Sequence, residues 1–169
     1  MWKILRALIL AVLVFGVWYL GLKDSIITVS ANEKIKVVDG DSLEIGSRRI
    51  RLQGIDSPEY VQNCYDKHHK KYSCGIKAKK YMEKLIAQGN IECREDSKDR
   101  YGRSLSTCYS GTQNLNEAMV RAGWAVAYRD ENGIYNRAEQ AAKEQKLGIW
   151  QGKFMRPELF RFKNRQSNS

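Results

Sequence analysis

The sequence holds little of what a zinc centre is made from. Its two histidines, His68 and His69, stand side by side, and its four cysteines include no C-x-x-C pair. Neither spacing suits a tetrahedral site of nitrogen and sulfur ligands, so zinc chemistry is set aside. No internal repeat runs along the 169 residues, which argues against stacked-unit architectures. A chain of this length has room for one compact domain with a real core and a short extra segment. Acidic residues are also in short supply, 19 Asp and Glu against 29 Lys and Arg. The net charge of +10 and pI of about 9.5 favour a polyanionic partner, either nucleic acid or an anionic membrane face.

What is present begins at the N-terminus. Residues 7–22 form an uncharged apolar run, preceded by Lys3 and Arg6 and closed by Lys23 and Asp24. This is the pattern of an export signal. At about 1.5 Å per residue the run barely crosses a hydrocarbon core roughly 30 Å thick, so a cleaved signal and a short membrane anchor both satisfy it. "VSA" at residues 29–31 offers small residues for cleavage but lies far from the end of the run. The expectation is an uncleaved tether, with the two basic residues holding its start in the cytoplasm and the rest of the chain outside. The domain plan is then a signal peptide or single-pass anchor over 1–24, a linker over 25–33, the folded domain over 34–152 and a basic tail over 153–169. The location is extracytoplasmic, membrane-anchored, or secreted or periplasmic if the signal is removed.

The cysteines agree with export. Cys64, Cys74, Cys93 and Cys108 are an even number, as disulfide-bonded exported chains have. Three pairings are possible, and the expected one joins Cys64 to Cys74 and Cys93 to Cys108. The second of these would cross neighbouring strands of one hairpin, because Cys93 lies in "NIECRE" and Cys108 in "RSLSTCYSG". By loop entropy each bridge is worth roughly 3 kcal/mol.

Short strand-like runs fall at 34–38, 42–45, 49–53, 90–95 and 104–109. Between the third and fourth, "GIKAKKYMEKLIAQG" places Ala78, Met82, Leu85 and Ile86 on one helical face, with Gly89 as a stop. A second helix starts at Asn114 as cap with Glu117 three residues on, and ends before Gly123. A third repeats the device with Asn136 and Glu139 and ends at Gly148. The order β-β-β-α-β-β-α-α predicts an α+β, mainly β domain, a five-stranded barrel of the OB type, a fold that often binds nucleic acid. The end of the basic tail is expected to be disordered.

Fold does not give function, so the site is argued from residues. "VVDGDSLEI", residues 37–45, sets Asp39 and Asp41 around one glycine, where a plain turn is the simplest reading. Soon after comes "RIRLQGIDSPE", residues 49–59. If 42–45 and 49–53 pair as a hairpin, Asp41 and Asp56 meet at one rim. Two carboxylates there repel each other unless a cation lies between them. An oxygen-only ligand set suits Ca²⁺. Arg51 lies on the same strand, and Arg103 in "DRYGRSL" follows Gly102 at the start of another. Two guanidinium forks can grip the equatorial oxygens of a phosphodiester under attack. Glu59, three residues past Asp56 and beyond Pro58, is placed to serve as general base for water.

Taken in order, these three motifs with "NEAMVRAGWAVAY" and "KLGIW" closely resemble the staphylococcal nuclease family over residues 34–150. The resemblance implies Ca²⁺ held by Asp41, Asp56 and the Ser57 carbonyl, phosphate held by Arg51 and Arg103, and water activated by Glu59. It implies substrate contacts from Arg100, Tyr101 and Tyr128, the two tyrosines flanking the bound nucleotide. The implied substrate is DNA and/or RNA, the implied products carry 3′-phosphates, and a monomer is expected. Asp39 is expected to shape its turn, and Trp124 and Trp150 to pack. The lysines of 67–71 are either a solvated loop or a phosphate-steering patch. Three departures from the family pattern stand out: Ser42 in place of Thr, Asp130 at a position near which the staphylococcal enzyme has a second nucleotide-packing tyrosine, and a longer segment over 60–74. The rival expectation is a nucleic-acid-binding module that keeps the barrel without catalysis.

Overall fold

The computed structural model describes residues 25–28, 33–130 and 132–167. The apolar run over 1–24 and the cleavage candidate at 29–31 lie outside the described residues, and among the described residues no helix is long and apolar enough to cross a membrane.

One hairpin organises the sheet. β3 (Ser42–Ile45) and β4 (Arg48–Leu52) pair antiparallel through a two-residue turn, with Ile45 opposite Arg48 and Ser42 opposite Arg51. Alternation turns Leu43, Ile45, Ile50 and Leu52 into the core. β2 (Ile35–Val37) lines the outer side of β3. On the other side, β4 runs parallel to β9 (Ser104–Ser110), which pairs antiparallel with β8 (Ile91–Lys98) through a register shift between Glu95 and Ser97.

These are the five strands expected from sequence, but the sheet is wider than five. Ser25–Thr28, within the expected linker, forms β1 and pairs with β8 along its whole length, burying Ile27. Its signal was the "SIIT" run, too short to separate from a polar spacer. The sheet order is β1-β8-β9-β4-β3-β2, with β10 (Gln113–Asn114) beside β9. Its outermost strands, β1 and β2, are neighbours in sequence. The sheet curls into a half-barrel, the mixed α+β, mainly β form expected, rather than a five-stranded closed cylinder.

Two smaller pairs complete the β structure. β5 (Ile55–Asp56) pairs with β11 (Val126–Ala127), and β6 (Cys64–Tyr65) with β7 (Lys71–Tyr72). The exposed lysines of 67–71 sit at and beside the β6–β7 turn.

The helices close the core. α1 (Cys74–Ile86) buries Ala78, Met82 and Leu85 against the sheet. α2 (Leu115–Arg121) starts as expected, Asn114 accepting from the Glu117 amide at 3.0 Å. α3 (Asn136–Glu144) departs from expectation, since Asn136 is its first helical residue and Tyr135 holds the cap position. Asp130 organises that start instead, its carboxylate accepting from the amides of Ile134 at 3.0 Å and Tyr135 at 2.7 Å. A 3₁₀ turn over Gly148–Gln151 follows.

The basic tail departs most. Pro157–Ser167 is a fourth helix, α4, with Pro at its first position and Glu158 in its first turn, both favourable helix starts.

Both disulfides follow the expected pairing. Cys93 and Cys108 face each other across β8 and β9, and Cys64–Cys74 ties the longer 60–74 segment to the first turn of α1. Trp124 and Trp150 pack against the second apolar cluster, around Val126 and Ile149.

Because β1 belongs to the sheet, a chain starting at residue 33 is expected to be less stable in urea than one starting at residue 25, by about 2 kcal/mol for the lost burial of Ile27. Equal unfolding free energies would move the start of the domain to β2.

Candidate active site

The turn between β2 and β3 delivers the first acid. The Asp41 amide donates to the Asp39 carboxylate at 3.0 Å, and the Val38 amide to the Ser42 carbonyl at 2.9 Å. Asp39 thus shapes the turn, as expected. Gly40 has no room for a side chain, since a Cβ there would lie 2.0 Å from Ser57 Oγ. That close approach presses the turn onto the loop after β5, which carries the second acid.

Asp41 and Asp56 are both buried, and one guanidinium joins them. Arg51 donates from Nη1 to Asp41 Oδ1 and from Nη2 to Asp56 Oδ1, each at 2.7 Å. The remaining Asp41 oxygen accepts from the Ser57 amide at 2.7 Å, and Ser42 Oγ lies 3.0 Å from Oδ1. Ser57 Oγ in turn donates to the Trp124 carbonyl at 2.9 Å, fixing the loop to the segment before β11. Glu59 does not contact Arg51. Its loop is set by α1, where a Cβ at Gly75 would lie 1.8 Å from the Glu59 carbonyl oxygen, and by the fully buried Gln62, whose Oε1 accepts from the Glu59 amide at 3.3 Å.

A residue that sequence reasoning left in the tail completes the cluster. Arg161 of α4 donates from Nη1 to Asp56 Oδ1 and to Glu59 Oε1, both at 2.8 Å, and from Nη2 to Asp56 Oδ2 at 3.0 Å. Further contacts hold α4 near by. Tyr128 donates its hydroxyl to Glu158 at 2.9 Å, Arg156 donates to the Ala127 carbonyl at 3.2 Å, and Gln62 donates to the Met155 carbonyl at 2.7 Å. Pro157 and Glu158 signalled a helix start. Nothing in one sequence marked Arg161, among so many cations, or Gln62 as parts of a site.

The expected set is therefore brought together in part. Asp41, Asp56, Glu59 and Arg51 converge, with Ser57 between the two aspartates. Arg103 and Arg100 belong to the β8–β9 turn, where Arg103 pairs with Asp99 through Nε at 2.8 Å and Nη2 at 2.7 Å. Register places Leu105 opposite Arg51, so Arg103 lies about 7 Å along the strand from the level of Arg51. Tyr101 is exposed at the tip of the turn, with the Arg100 guanidinium 4.9 Å and that of Arg103 5.9 Å from its ring centre.

The electrostatics follow from burial. Asp41 is pushed up to about 6, chiefly because burial disfavours its charge, with Arg51 opposing and Asp39 adding to the rise. Burial raises Asp56 as well, against the Arg161 hydrogen bond. Burial works against the charge of Arg51 and of Arg161, yet the neighbouring carboxylates outweigh it and hold both above the usual guanidinium range. Asp99 is held below the usual carboxylate range: burial opposes this, and the Arg103 and Tyr101 amides with the Arg103 side chain prevail.

Fold and rim together define a basic, OB-like domain with a buried acid–arginine centre. The family model described as "Staphylococcal nuclease homologue" matches residues 49–152, and the chain belongs to that family. It is 33% identical over 117 residues to "Succinoglycan biosynthesis protein ExoI" of Rhizobium meliloti, covering 68% of this chain and 61% of that protein. It is 33% identical over 123 residues to an "Uncharacterized endonuclease" of Haemophilus influenzae, covering 69% and 64%. It is 29% identical over 135 residues to a "Micrococcal nuclease" of Shigella flexneri, covering 70% and 72%. The match thus spans less than two thirds of the first two relatives.

A raised carboxyl has a defined pH signature. Between its unfolded value of 3.8 and its folded value of about 6, Asp41 takes up a proton on folding, so its stabilising contribution is complete below the unfolded value and is lost as pH rises through 6. In EGTA, the wild type is expected to lose about 3 kcal/mol of unfolding free energy relative to Asp41→Asn between pH 3.5 and pH 7. Parallel urea-unfolding curves across that range would show that Asp41 ionises as it does in water.

Proposed function

We propose that the protein is a nuclease that hydrolyses phosphodiesters of DNA and/or RNA with Ca²⁺ as cofactor, as a monomer outside the cytoplasm. The observation that carries the reading is the convergence of Asp41, Asp56, Glu59 and Arg51 from separate segments at one rim of a strongly basic chain. The relatives named as nucleases support it. The location is supported by the export pattern of residues 1–24 and by two disulfides that leave no free cysteine.

The donors fit a hard divalent cation in chemistry. All are oxygens, and three carboxylates face only two guanidinium groups, which leaves a negative charge to be compensated. Among the described residues no group of three or more His, Cys, Asp or Glu side chains is arranged to hold a metal. The proposed set accordingly has two carboxylates, Asp41 and Asp56, and draws its third ligand from the Ser57 carbonyl. When bound, Ca²⁺ supplies neutralising charge to a phosphate oxygen.

The chain's own groups do the rest. Arg51 has five N–H donors, more than the two it gives to Asp41 and Asp56, and presents its fork to a phosphate oxygen. Arg103 adds a second fork from the β8–β9 turn, and both stabilise the charge that grows on phosphorus oxygens during attack. Glu59, about a third exposed, accepts a proton from the attacking water. The water oxygen bonds to phosphorus as the bond to the 5′ oxygen breaks, and that oxygen leaves as a hydroxyl once protonated. The phosphate stays on the 3′ side. Tyr101 and Tyr128 offer rings on which bases can stack, each worth about 1–3 kcal/mol.

One observation favours a second reading. The acids are ion-paired throughout, as they would be in a binding module that uses them only for structure. Catalysis separates the two. The full chain in detergent is expected to degrade single-stranded DNA in Ca²⁺ and to stop on addition of EGTA; cleavage indifferent to the chelator would remove the metal from the mechanism. Glu59→Gln is expected to lower turnover by about 10²–10⁴-fold with DNA affinity nearly unchanged, and normal cutting by that variant would take the base role from Glu59. Arg51→Lys should also cut poorly, because an ammonium cannot reproduce a two-pronged grip.

A further inference from the structure

We propose that α4 is an autoinhibitory strap, and that Arg161 and a divalent cation exclude each other from the acidic rim. The inference rests on the reading of Asp41 and Asp56 as cation ligands and adds a control to that site. Arg161 spans both oxygens of Asp56 and one of Glu59 at 2.8–3.0 Å, so the second metal carboxylate and the general base are held by one guanidinium. A cation bound to Asp56 would meet that guanidinium at close range, and like charges repel strongly where water is scarce. The charges balance with the cation in its place: the acids outnumber the guanidiniums by one while Arg161 is docked, and an exchange of one positive charge for two closes the difference.

The helix covers the substrate side as well. Glu158 accepts from the Tyr128 hydroxyl at 2.9 Å, and Arg156 reaches the Ala127 carbonyl. One helix therefore engages the metal carboxylate, the base and a tyrosine placed to stack on a nucleotide. It is nevertheless shallowly seated. Of its residues only Pro157 is buried, while Leu159 is 55% and Phe162 59% exposed. A segment held by polar contacts with little apolar burial opens at low free-energy cost. Gln62, buried and bonded to the Met155 carbonyl at 2.7 Å, marks the near end of the strap and a pivot about which 157–167 can lift.

The test is calorimetric titration of Ca²⁺ into the full chain in detergent, as wild type, Arg161→Ala, Arg161→Gln and, as control on the same helix, Lys163→Ala. Both Arg161 variants are expected to bind Ca²⁺ at least tenfold more tightly than the wild type, and Lys163→Ala to bind as the wild type does. In the wild type, saturating Ca²⁺ should speed amide hydrogen exchange over 157–167, a measurement that needs no variant to fold. Equal Ca²⁺ affinity in all four proteins, or α4 protection untouched by bound Ca²⁺, overturns the strap alone. Ca²⁺ binding by none of them overturns the strap and the metal reading together. An Arg161→Ala protein that binds Ca²⁺ like the wild type but has a raised KM for DNA makes Arg161 a substrate ligand, which also overturns the strap.

Discussion

Arg51 reaches from the inner hairpin of the sheet to two buried carboxylates and is the counter-charge they share. Asp41 arrives from the turn before β3, Asp56 from the short strand after β4, and the guanidinium between them donates one short hydrogen bond to each. Removing one partner from such a cluster leaves an uncompensated buried charge, which is among the costliest defects a fold can carry. Burying these acids is itself costly: burial is the main reason the Asp41 carboxyl is pushed up. A structure that keeps this arrangement spends stability on a concentrated electric field at one rim.

The surroundings hold that arrangement tightly. Gly40 and Gly75 are places where backbone or side chain passes too close for any Cβ, so the β2–β3 turn rests on Ser57 and α1 rests on the Glu59 loop. The Ser57 amide binds Asp41 while its hydroxyl binds the Trp124 carbonyl, linking the acid cluster to the second apolar cluster. The Cys64–Cys74 bridge fixes the longer 60–74 segment to the helix that packs against the same loop. Departures from the family pattern are thus absorbed around the site: Ser42 adds a hydrogen bond to Asp41, and Asp130 organises the start of α3.

Family membership and site geometry carry different weight. The family model covers the chain from β4 to just past the 3₁₀ turn and stops before α4, the helix that reaches Asp56 and Glu59. Its contacts are the feature of this chain that the relatives' names say nothing about. They join the acidic rim to a segment with its own exposed apolar residues, Leu159 and Phe162.

Five strands, three helices and the disulfide pairing were legible in the sequence because each rests on local or nearly local signals: alternation in β3, the 3.6-residue face of α1, the Asn114 cap, cysteines on facing hairpin strands. The acid and arginine motifs could be read for the same reason, since a hairpin of known register brings Asp41 and Asp56 to one end. What could not be read depends on distance along the chain. β1 becomes a strand only because β8 offers it an edge. Asn136 is the first helical residue rather than the cap: Tyr135 takes the cap position, its carbonyl accepting from the Glu139 amide, and Asp130, six residues back, holds the Ile134 and Tyr135 amides just before the helix. The tail looked like a polar extension until Arg161, more than a hundred residues from its partners, found two carboxylates in space. Sequence by itself settled the five inner strands, the first three helices and the positions of the acid and arginine motifs along them, through short-range sterics and periodicity. Only tertiary structure decided which cation meets which acid, because charge pairing is a property of positions in space and every cation in a basic chain looks alike until it is placed.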